Sequence, residues 1–337
     1  MMNKYSASLV GCAIGDALGM PVEGWKREQI KKYVGRISQF IAPVLIKDCA
    51  GNLLKEDEFG ELKYWTKDFR KGEYTDDTIL TLTIAESMVE LGEINIPDIA
   101  KRHLEIYNKD SKGFGGTTRQ AMENIKKGIS PFNAGVIGGP GNGPSMKMSP
   151  IGFYMDAAKK YDEGLKFAET IGKITHLDPR SIAGGVLQAH AIYSVLNNCS
   201  REEFVKSLTE ICREWEKPLT SKFSWHEQGN LLSKIEWIKN NKDVAPEIAY
   251  KNIGCTSTVY RSHPFALFMF QKYWDQPIEG LIELVNFGGD CDTTGAMYGS
   301  LVGAKHGDIF PANLKSELKN INHLISLGER IENKFRK

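Results

Sequence analysis

Two short acidic motifs, residues 75–78 (TDDT) and residues 288–294 (GGDCDTT), carry the side chains of this sequence that are best suited to chemistry. Each motif places carboxylate and hydroxyl oxygens where an apolar helix is expected to begin. Mg²⁺ and Mn²⁺ prefer such hard oxygen ligands. Neighbouring aspartates repel one another when they are buried without a cation. We therefore expect two divalent ions to be shared among the four aspartates, provided that the fold brings both motifs together.

Each motif also has a simpler interpretation. Threonine and aspartate are favoured at the start of a helix because they accept hydrogen bonds from free backbone N–H groups, so capping alone explains TDDT. The second motif is harder to explain as a cap, since Gly288 and Gly289 allow a tight turn before two alternating aspartates. It also satisfies the DxDxT pattern of haloacid-dehalogenase-like phosphatases. That chemistry requires a strand end in an α/β sheet, and too few residues follow the motif for one.

Two further segments are candidates for the same site. Residues 15–19 (GDALG) are typical of a helix C-terminus with Gly19 as the terminating glycine, and Asp16 there needs a compensating partner because the helix dipole opposes its charge. Residues 142–152 (NGPSMKMSPIG) are either a surface loop or a set of backbone N–H groups that cradle a diphosphate. Cys291 is expected to face the core, since a thiolate suits hard ions poorly.

The composition sets limits on partners and location. The 337 residues carry a formal net charge of +1, which gives no electrostatic reason to expect nucleic acid or an acidic membrane as a direct partner. The six cysteines form no CxxC pair and no zinc-like cluster, as expected in a reducing cytosol. There is no apolar run of about 18 residues and no clear signal peptide, so the expected location is cytoplasmic.

The hydrophobic pattern predicts an all-α protein of roughly a dozen helices. One domain is expected over 1–337, with residues 40–73 as an insertion or lid and residues 128–150 as a long functional loop. One helix is predicted within 75–93, capped by Thr75 or Asp76. The other predicted helices are 3–19, 97–107, 117–127, 151–160, 163–174, 179–197, 201–215, 227–240, 263–273, 277–286, 293–306 and 313–335.

The motifs taken in order show a resemblance. The segments GDALGMPVEG, YTDDT, NGPSMKMSPIG, ITHLDPRS and GGDCDTTGAMYGSLVGAKHG follow one another as they do in the ADP-ribosylglycohydrolase family. The chain resembles that family from about residue 5 to about residue 307. The resemblance implies an all-α fold, a compact single-domain orthogonal helical bundle of roughly a dozen helices with a binuclear metal cleft. It also implies a cofactor of two divalent cations, Mg²⁺ or Mn²⁺.

Matching the motifs position by position implies the roles of individual residues. The implied metal ligands are Thr75, Asp76, Asp77, Asp290, Asp292 and Thr293. The implied substrate-binding residues are Gly115, Gly116, Asn142, Gly143, Ser145 and His176. The implied catalytic residues are Asp292, Asp77 and Glu23, with either Asp292 or Asp77 accepting a proton from water. The aromatic residues Trp25, Phe114 and Tyr154 are candidates for stacking on adenine, although packing is the favoured interpretation.

The resemblance implies hydrolysis of the glycosidic bond between ADP-ribose and a modified group. ADP-ribosyl-arginine on a protein is the preferred substrate. The alternatives are ADP-ribosyl-serine, poly(ADP-ribose), O-acetyl-ADP-ribose or a modified nucleic-acid end. A protein that binds ADP-ribose without catalysis is the alternative from another class. The expected partner is accordingly an ADP-ribosylated protein or a small-molecule ADP-ribose derivative.

Overall fold

The computed structural model describes residues 2–220 and 228–336, and this part of the chain is almost entirely helical. The α-helices are α1 (Lys4–Gly19), α2 (Arg27–Tyr33), α3 (Asp76–Leu91), α4 (Ile96–Lys109), α5 (Gly116–Lys126), α6 (Gly143–Met146), α7 (Ser149–Ala157), α8 (Tyr161–Lys173), α9 (Pro179–Leu196), α10 (Arg201–Trp215), α11 (Leu231–Asn240), α12 (Pro246–Ile253), α13 (Val259–Lys272), α14 (Pro277–Val285), α15 (Cys291–His306), α16 (Ala312–Glu317) and α17 (Ile321–Phe335). One antiparallel hairpin joins β1 (Glu56–Asp57) to β2 (Gly60–Glu61). The all-α prediction is confirmed.

The described chain contains more helices than the sequence pattern predicts. The hydrophobic pattern does not indicate α2 and α12, because each of these short helices buries only two side chains. The long loop 128–150 contains the single turn α6 and the start of α7. The helix predicted over 313–335 is two helices, since the backbone turns at Asn320 in the left-handed region with φ of 55°. The predicted start of another helix at residue 227 lies outside the described residues.

Two predicted helix boundaries are wrong for identifiable reasons. The helix predicted from 263 begins at Val259, and Pro264 lies inside it and not at its start. Gly19 does not terminate α1 in the left-handed region, since its φ and ψ are −78° and −38°, and a 3₁₀-helix, Met20–Val22, follows directly. Gly19 is small for another reason: a Cβ there would lie 2.3 Å from the carbonyl carbon of Cys291.

Glycines hold α1 and α15 unusually close along their whole length. A Cβ at Gly15 would lie 1.9 Å from the carbonyl oxygen of Gly295, and a Cβ at Gly11 would lie 2.1 Å from that of Gly299. Both distances are far shorter than carbon and oxygen can approach, so the backbones touch only because these side chains are absent. The contacts run antiparallel, which brings the C-terminal end of α1 to the N-terminal end of α15.

These two helices form the centre of the molecule. Every residue of α1 from Tyr5 onward is buried, and so is every residue of α15 up to Ala304. The helices α3, α9, α13, α14 and α17 pack around them. The acid motifs therefore sit at the ends of elements that the core holds rigidly. Within the described ranges, no helix combines the length and apolar character needed to cross a bilayer.

Candidate active site

A cleft with a volume of about 500 Å³ opens at the N-terminal ends of α3, α5, α6 and α15. All of the predicted site residues line it except Thr75 and Ser145. Four helix starts therefore face one space, although their residues are spread from position 76 to position 293. Helix N-termini carry free N–H groups and the positive end of the helix dipole, so the cleft suits anionic groups as well as cations held by carboxylates.

The acidic side chains converge on one wall of the cleft. Glu23, Asp290 and Asp292 each offer a carboxylate oxygen, and these three atoms lie within 4.8 Å of one another. Asp76 and Asp77 reach the same cleft from the first turn of α3. The structure thus brings the two motifs together and adds Glu23, which follows the 3₁₀-helix after α1.

The surroundings of these carboxyl groups disfavour the charged form and raise their pKa. Burial, followed by repulsion from Asp290, raises the pKa of Glu23 to about 8. Burial and repulsion from Asp16 raise the pKa of Asp76 to about 7. For Asp77 and Asp292, burial and the neighbouring carboxylates hold the pKa well above its usual range. A divalent cation would relieve this repulsion, as expected of a metal-binding group.

Among the described residues, one carboxylate oxygen of Asp77 lacks a hydrogen-bond partner, which also indicates a cation site. Its Oδ2 accepts a hydrogen bond from the Thr75 hydroxyl at 3.0 Å. Its Oδ1 is buried and has no hydrogen-bond partner in the part of the chain that the structure describes. A buried charged oxygen without a donor is costly unless a ligand completes it. The residues present therefore fit a hard cation.

Asp16 has the compensating partners that its position at the end of α1 requires. Both of its oxygens accept from the backbone N–H of Thr75 at 3.0 Å, and Oδ2 also accepts from the N–H and hydroxyl of Thr78 at 3.1 and 2.7 Å. Burial nevertheless raises its pKa to about 6. Asp16 thus ties the C-terminus of α1 to the N-terminus of α3.

Thr75 caps α3 and lies behind the cleft wall. Its hydroxyl oxygen accepts from the backbone N–H of Asp77 at 3.3 Å. The capping interpretation of TDDT is therefore correct for Thr75, while the two aspartates that follow face the cleft. Ser145 also lies behind the wall. It packs against Gly184, where a Cβ would come 2.5 Å from Ser145 Oγ.

Another part of the cleft wall is built from the loop before α6 and the turn before α9. The Asn142 side-chain amide donates to Asp290 and to Ser262 Oγ, the latter at 3.0 Å, which connects this loop to the second acid motif. The His176 ring lies against the backbone of the loop, since a Cβ at Gly143 would come 2.7 Å from His176 Cε1. Gly115 and Gly116, at the start of α5, have open space in front of them.

Several cleft residues carried no signal in the sequence. Lys63 and Trp65 line the cleft from the irregular segment 40–73, and Ser257 and Thr258 line it from the loop before α13. Trp25 Nε1 donates to the Lys63 carbonyl at 2.7 Å, which fixes the segment beside the acid cluster. Residues 40–73 thus supply one wall of the cleft, and their movement as a lid stays a prediction.

The structure also decides three smaller questions. Trp25, Phe114 and Tyr154 are only 1%, 3% and 5% exposed, so all three pack in the interior. Cys291 faces the core, where its thiol donates to the Gly19 carbonyl at 3.3 Å. The DxDxT motif opens helix α15, and the described chain has no parallel sheet, so the phosphatase interpretation lacks its structural context.

Comparison with known proteins agrees with this site. The sequence profile of the ADP-ribosylglycohydrolase family matches residues 1–337. An uncharacterized Escherichia coli (strain K12) protein, YegU, is 29% identical over 95% of this chain and 93% of its own length. The ADP-ribosylhydrolase ARH3 of Xenopus tropicalis is 26% identical over 98% and 95%.

The fold agrees as well. A solved structure described as an ADP-ribosylglycohydrolase-related protein complex superposes with a TM-score of 0.68 at 24% identity, over 98% of this chain and 97% of that one. Because the family profile spans the whole sequence and the acid motifs meet in one cleft, the chain belongs to the ADP-ribosylglycohydrolase family and is a hydrolase of ADP-ribose glycosidic bonds.

Proposed function

We propose that this protein releases ADP-ribose from ADP-ribosyl-arginine on a protein substrate, with two divalent cations, Mg²⁺ or Mn²⁺, as cofactor. The observation that carries the proposal is the convergence of Glu23, Asp290 and Asp292 within 4.8 Å beside the aspartates of α3. The family membership supplies the ADP-ribose part of the substrate, and the chemistry of the cleft supplies the arguments for the leaving group.

The residues assigned to the cations come from both acid motifs. We assign Asp76 and Asp77 from the start of α3, and Asp290, Asp292 and Thr293 from the start of α15. Thr75 stays in this set through its contact with Asp77, although it does not line the cleft. When bound, divalent cations supply charge compensation for these carboxylates and Lewis-acid polarisation of oxygen ligands.

The carboxylates also act directly on the reaction. Cleavage of the bond at ribose C1 develops oxocarbenium character, and negative side chains beside that carbon stabilise the positive charge. We assign the role of accepting the proton of the attacking water to Asp292 or Asp77, because both carboxylates line the cleft. Glu23 is partly exposed, whereas Asp290 and Asp292 are buried. We assign Glu23 to the side from which the leaving group departs.

The diphosphate is held by backbone amides and neutral side chains. The start of α5 at Gly115 and Gly116 faces the cleft with open space in front of it, as a close-approaching phosphate requires. Asn142, Gly143 and His176 form the other side. Ser145 supports this loop from behind. Such a cradle needs no excess of positive charge, which agrees with the nearly neutral composition.

One aromatic residue of the cleft favours a cationic leaving group. Trp65 lines the cleft and is 40% exposed, so its ring offers a face on which a guanidinium can stack. The carboxylates do not add to this preference, because the five that line the cleft and Lys63 carry a summed charge of −4, which two divalent cations balance. Trp65 therefore supports arginine over an uncharged serine linkage.

The test is a direct assay of both linkages. Purified protein is incubated with ADP-ribosyl-arginine and ADP-ribosyl-serine peptides in Mg²⁺, in Mn²⁺ and in chelator, and free ADP-ribose is followed by mass spectrometry. We expect metal-dependent release, faster from the arginine peptide, and none from the Asp292→Asn variant. Faster release from the serine peptide would overturn the assigned linkage. Metal-dependent binding of ADP-ribose without release from either peptide would favour a binding protein.

A further inference from the structure

Asn142 is a buried residue at which three parts of the cleft wall meet. Its backbone N–H donates to the Ser257 carbonyl at 3.0 Å, and its carbonyl oxygen accepts from the N–H of Ser145 at 2.8 Å. Its side-chain nitrogen donates to Asp290 Oδ2 and to Ser262 Oγ, the latter at 3.0 Å. Asn142 therefore joins the second acid motif to α13 and to the loop that precedes α6.

The orientation of the Asn142 amide follows from the two groups that it faces. An ionised carboxylate can only accept hydrogen bonds, so the amide atom that contacts a charged Asp290 is the nitrogen. The Ser262 hydroxyl donates its single proton to the Thr258 carbonyl at 3.2 Å, and its oxygen accepts from the same amide nitrogen. Both protons of the amide nitrogen are thereby used within the protein.

These contacts limit what Asn142 can offer to a ligand. Its backbone N–H is used by Ser257, and its two side-chain N–H groups are used by Asp290 and Ser262. The atom that remains is Oδ1, which is an acceptor, and the oxygens of a diphosphate are acceptors as well. Asn142 thus shapes the wall of the proposed diphosphate cradle, while the donors of that cradle belong to its neighbours.

Asp290 gains from this arrangement. Burial raises the pKa of Asp290, and the hydrogen bond from Asn142 opposes that rise, so the amide stabilises the charged form. A donor at one carboxylate oxygen also fixes the orientation of the group before a cation arrives. Such outer contacts to metal-binding side chains contribute about 10- to 100-fold to metal affinity.

We propose that Asn142 is a positioning residue for the metal centre, which acts by orienting Asp290 and not by donating to the diphosphate. The inference rests on the proposed function, because that function assigns Asp290 to a cation. Ser262 serves as the anchor of the amide: it accepts the second proton and keeps the nitrogen, not the oxygen, turned toward Asp290.

Mn²⁺ affinity without nucleotide is the direct test. The electron paramagnetic resonance signal of free aqueous Mn²⁺ measures the unbound ion during a titration of the protein. Asn142→Ala removes the donor, and Asn142→Leu removes it while keeping a similar side-chain volume. We expect both variants to bind at least one Mn²⁺ about 10- to 100-fold more weakly than the wild type. Wild-type Mn²⁺ affinity in both variants would overturn the proposal.

A graded variant and a stability control separate positioning from packing. Ser262→Ala keeps the donor to Asp290 and removes only the anchor, so we expect a loss of Mn²⁺ affinity of a few-fold at most. A loss as large as that in Asn142→Ala would show that attachment of the loop to α13 matters and not the donor, against the proposal. Thermal unfolding in chelator is the control, since a lower Tm with wild-type Mn²⁺ affinity would leave Asn142 a structural role only.

ADP-ribose binding distinguishes the positioning role from direct contact with the diphosphate. In calorimetric titrations at saturating Mn²⁺, we expect Asn142→Ala to bind ADP-ribose within about threefold of the wild type. A weakening of about 10-fold or more, the size of one hydrogen bond to a charged group, would instead make Asn142 a donor to the diphosphate and overturn the proposal.

Failure of this inference and failure of the proposed function give different results. A wild type that binds no Mn²⁺ would refute the metal cofactor and this inference together. Mn²⁺ binding that depends on Asn142, without release of ADP-ribose from either peptide, would refute the proposed reaction and leave the role of Asn142 supported.

Discussion

Asp16 and Asp77 are both buried carboxylates at the junction of α1 and α3, yet the protein supplies hydrogen-bond donors to them very unequally. Asp16 accepts from two backbone N–H groups and one hydroxyl. Asp77 receives one hydroxyl at Oδ2, and its buried Oδ1 has no partner within the described ranges. Asp292 resembles Asp77, with one oxygen bonded to the next backbone N–H at 2.8 Å.

Under the proposed function, the difference separates a structural acid, Asp16, from a metal ligand, Asp77. A carboxylate whose two oxygens both accept hydrogen bonds from the chain is less available to a ligand and serves to join two helices. A carboxylate that is left partly unsatisfied in a buried place is destabilising unless a cation completes it. We therefore expect the number of hydrogen-bond donors to distinguish the two roles where residue type, burial and raised pKa do not.

The largest expected effect is the loss of activity in Asp292→Asn. The change removes a charge without altering volume, so the cation site is weakened while the packing of α15 persists. We expect a decrease in kcat/KM of at least about 10³-fold, in the range found when a centre of electrostatic stabilisation is removed. Steady-state release of ADP-ribose measures it, with circular dichroism as the control for folding. Activity within a few-fold of wild type would place Asp292 with Asp16 among the structural acids.

The stability of the metal-free protein gives the sharpest test of the difference between Asp16 and Asp77. Asp16→Asn replaces one accepting oxygen with an NH₂ group, which cannot accept from the N–H groups of Thr75 and Thr78. We therefore expect the free energy of unfolding to fall by about 2–4 kcal/mol. The matched variant Asp77→Asn removes a repelling charge from the cluster, so we expect little loss or a gain. Urea denaturation in chelator measures both. Equal losses in the two variants would break the distinction drawn from the donors.

Much of this site can be predicted from the sequence because the residue types of the two motifs themselves indicate metal binding. The motifs at 75–78 and 288–294 contain more carboxylate and hydroxyl side chains than are needed to cap a helix. The structure brings both motifs into one cleft. Gly11, Gly15 and Gly19 are spaced by four residues and mark the close approach of α1 and α15. A single glycine near a helix end more often terminates the helix, so the sequence alone favours that interpretation of Gly19.

Other features depend on contacts that no local pattern contains. Lys63 and Trp65 belong to an irregular segment whose position is fixed by long-range contacts such as the one from Trp25. Lys147 resembles any loop lysine until the fold buries it beside Thr175. The donors to Asp16 come from a helix some 60 residues away (75 − 16 = 59), so the sequence shows that a partner is needed without naming it.

A smaller effect is expected in the pH dependence of stability. The pKa values of Asp76 and Glu23 in the folded protein, about 7 and about 8, lie above the ordinary values of 3.8 and 4.5. The folded state therefore binds protons more tightly than the unfolded state, and this contribution to stability, present below about pH 4, is lost as the pH rises to about 8. Bound cations reverse the trend because they stabilise the charged form.

Thermal unfolding at about pH 5.5 and pH 8 measures this prediction. In chelator the Tm should be lower at the higher pH. Saturating Mn²⁺ should raise Tm more at pH 8, by several degrees if the ion is present at about 100 times its Kd. The metal-induced shift should shrink in Asp292→Asn. A Mn²⁺-induced Tm shift of equal size at both pH values would argue against a cation held by the carboxylates whose pKa is raised.

The smallest effect is expected at Cys291. This residue lies between two cleft aspartates in the sequence, but we expect it to have a structural role, like Asp16. Its thiol donates to the Gly19 carbonyl, and burial holds its pKa well above the usual range, so it is protonated at pH 7 and cannot serve as a thiolate ligand. Cys291→Ala should keep wild-type kcat/KM and lose about 1 kcal/mol of stability, the size of one modest hydrogen bond and a small packing defect. A loss of activity approaching that of Asp292→Asn, with the fold intact, would show that position on the helix and not donor supply determines which residues of this motif serve the cleft.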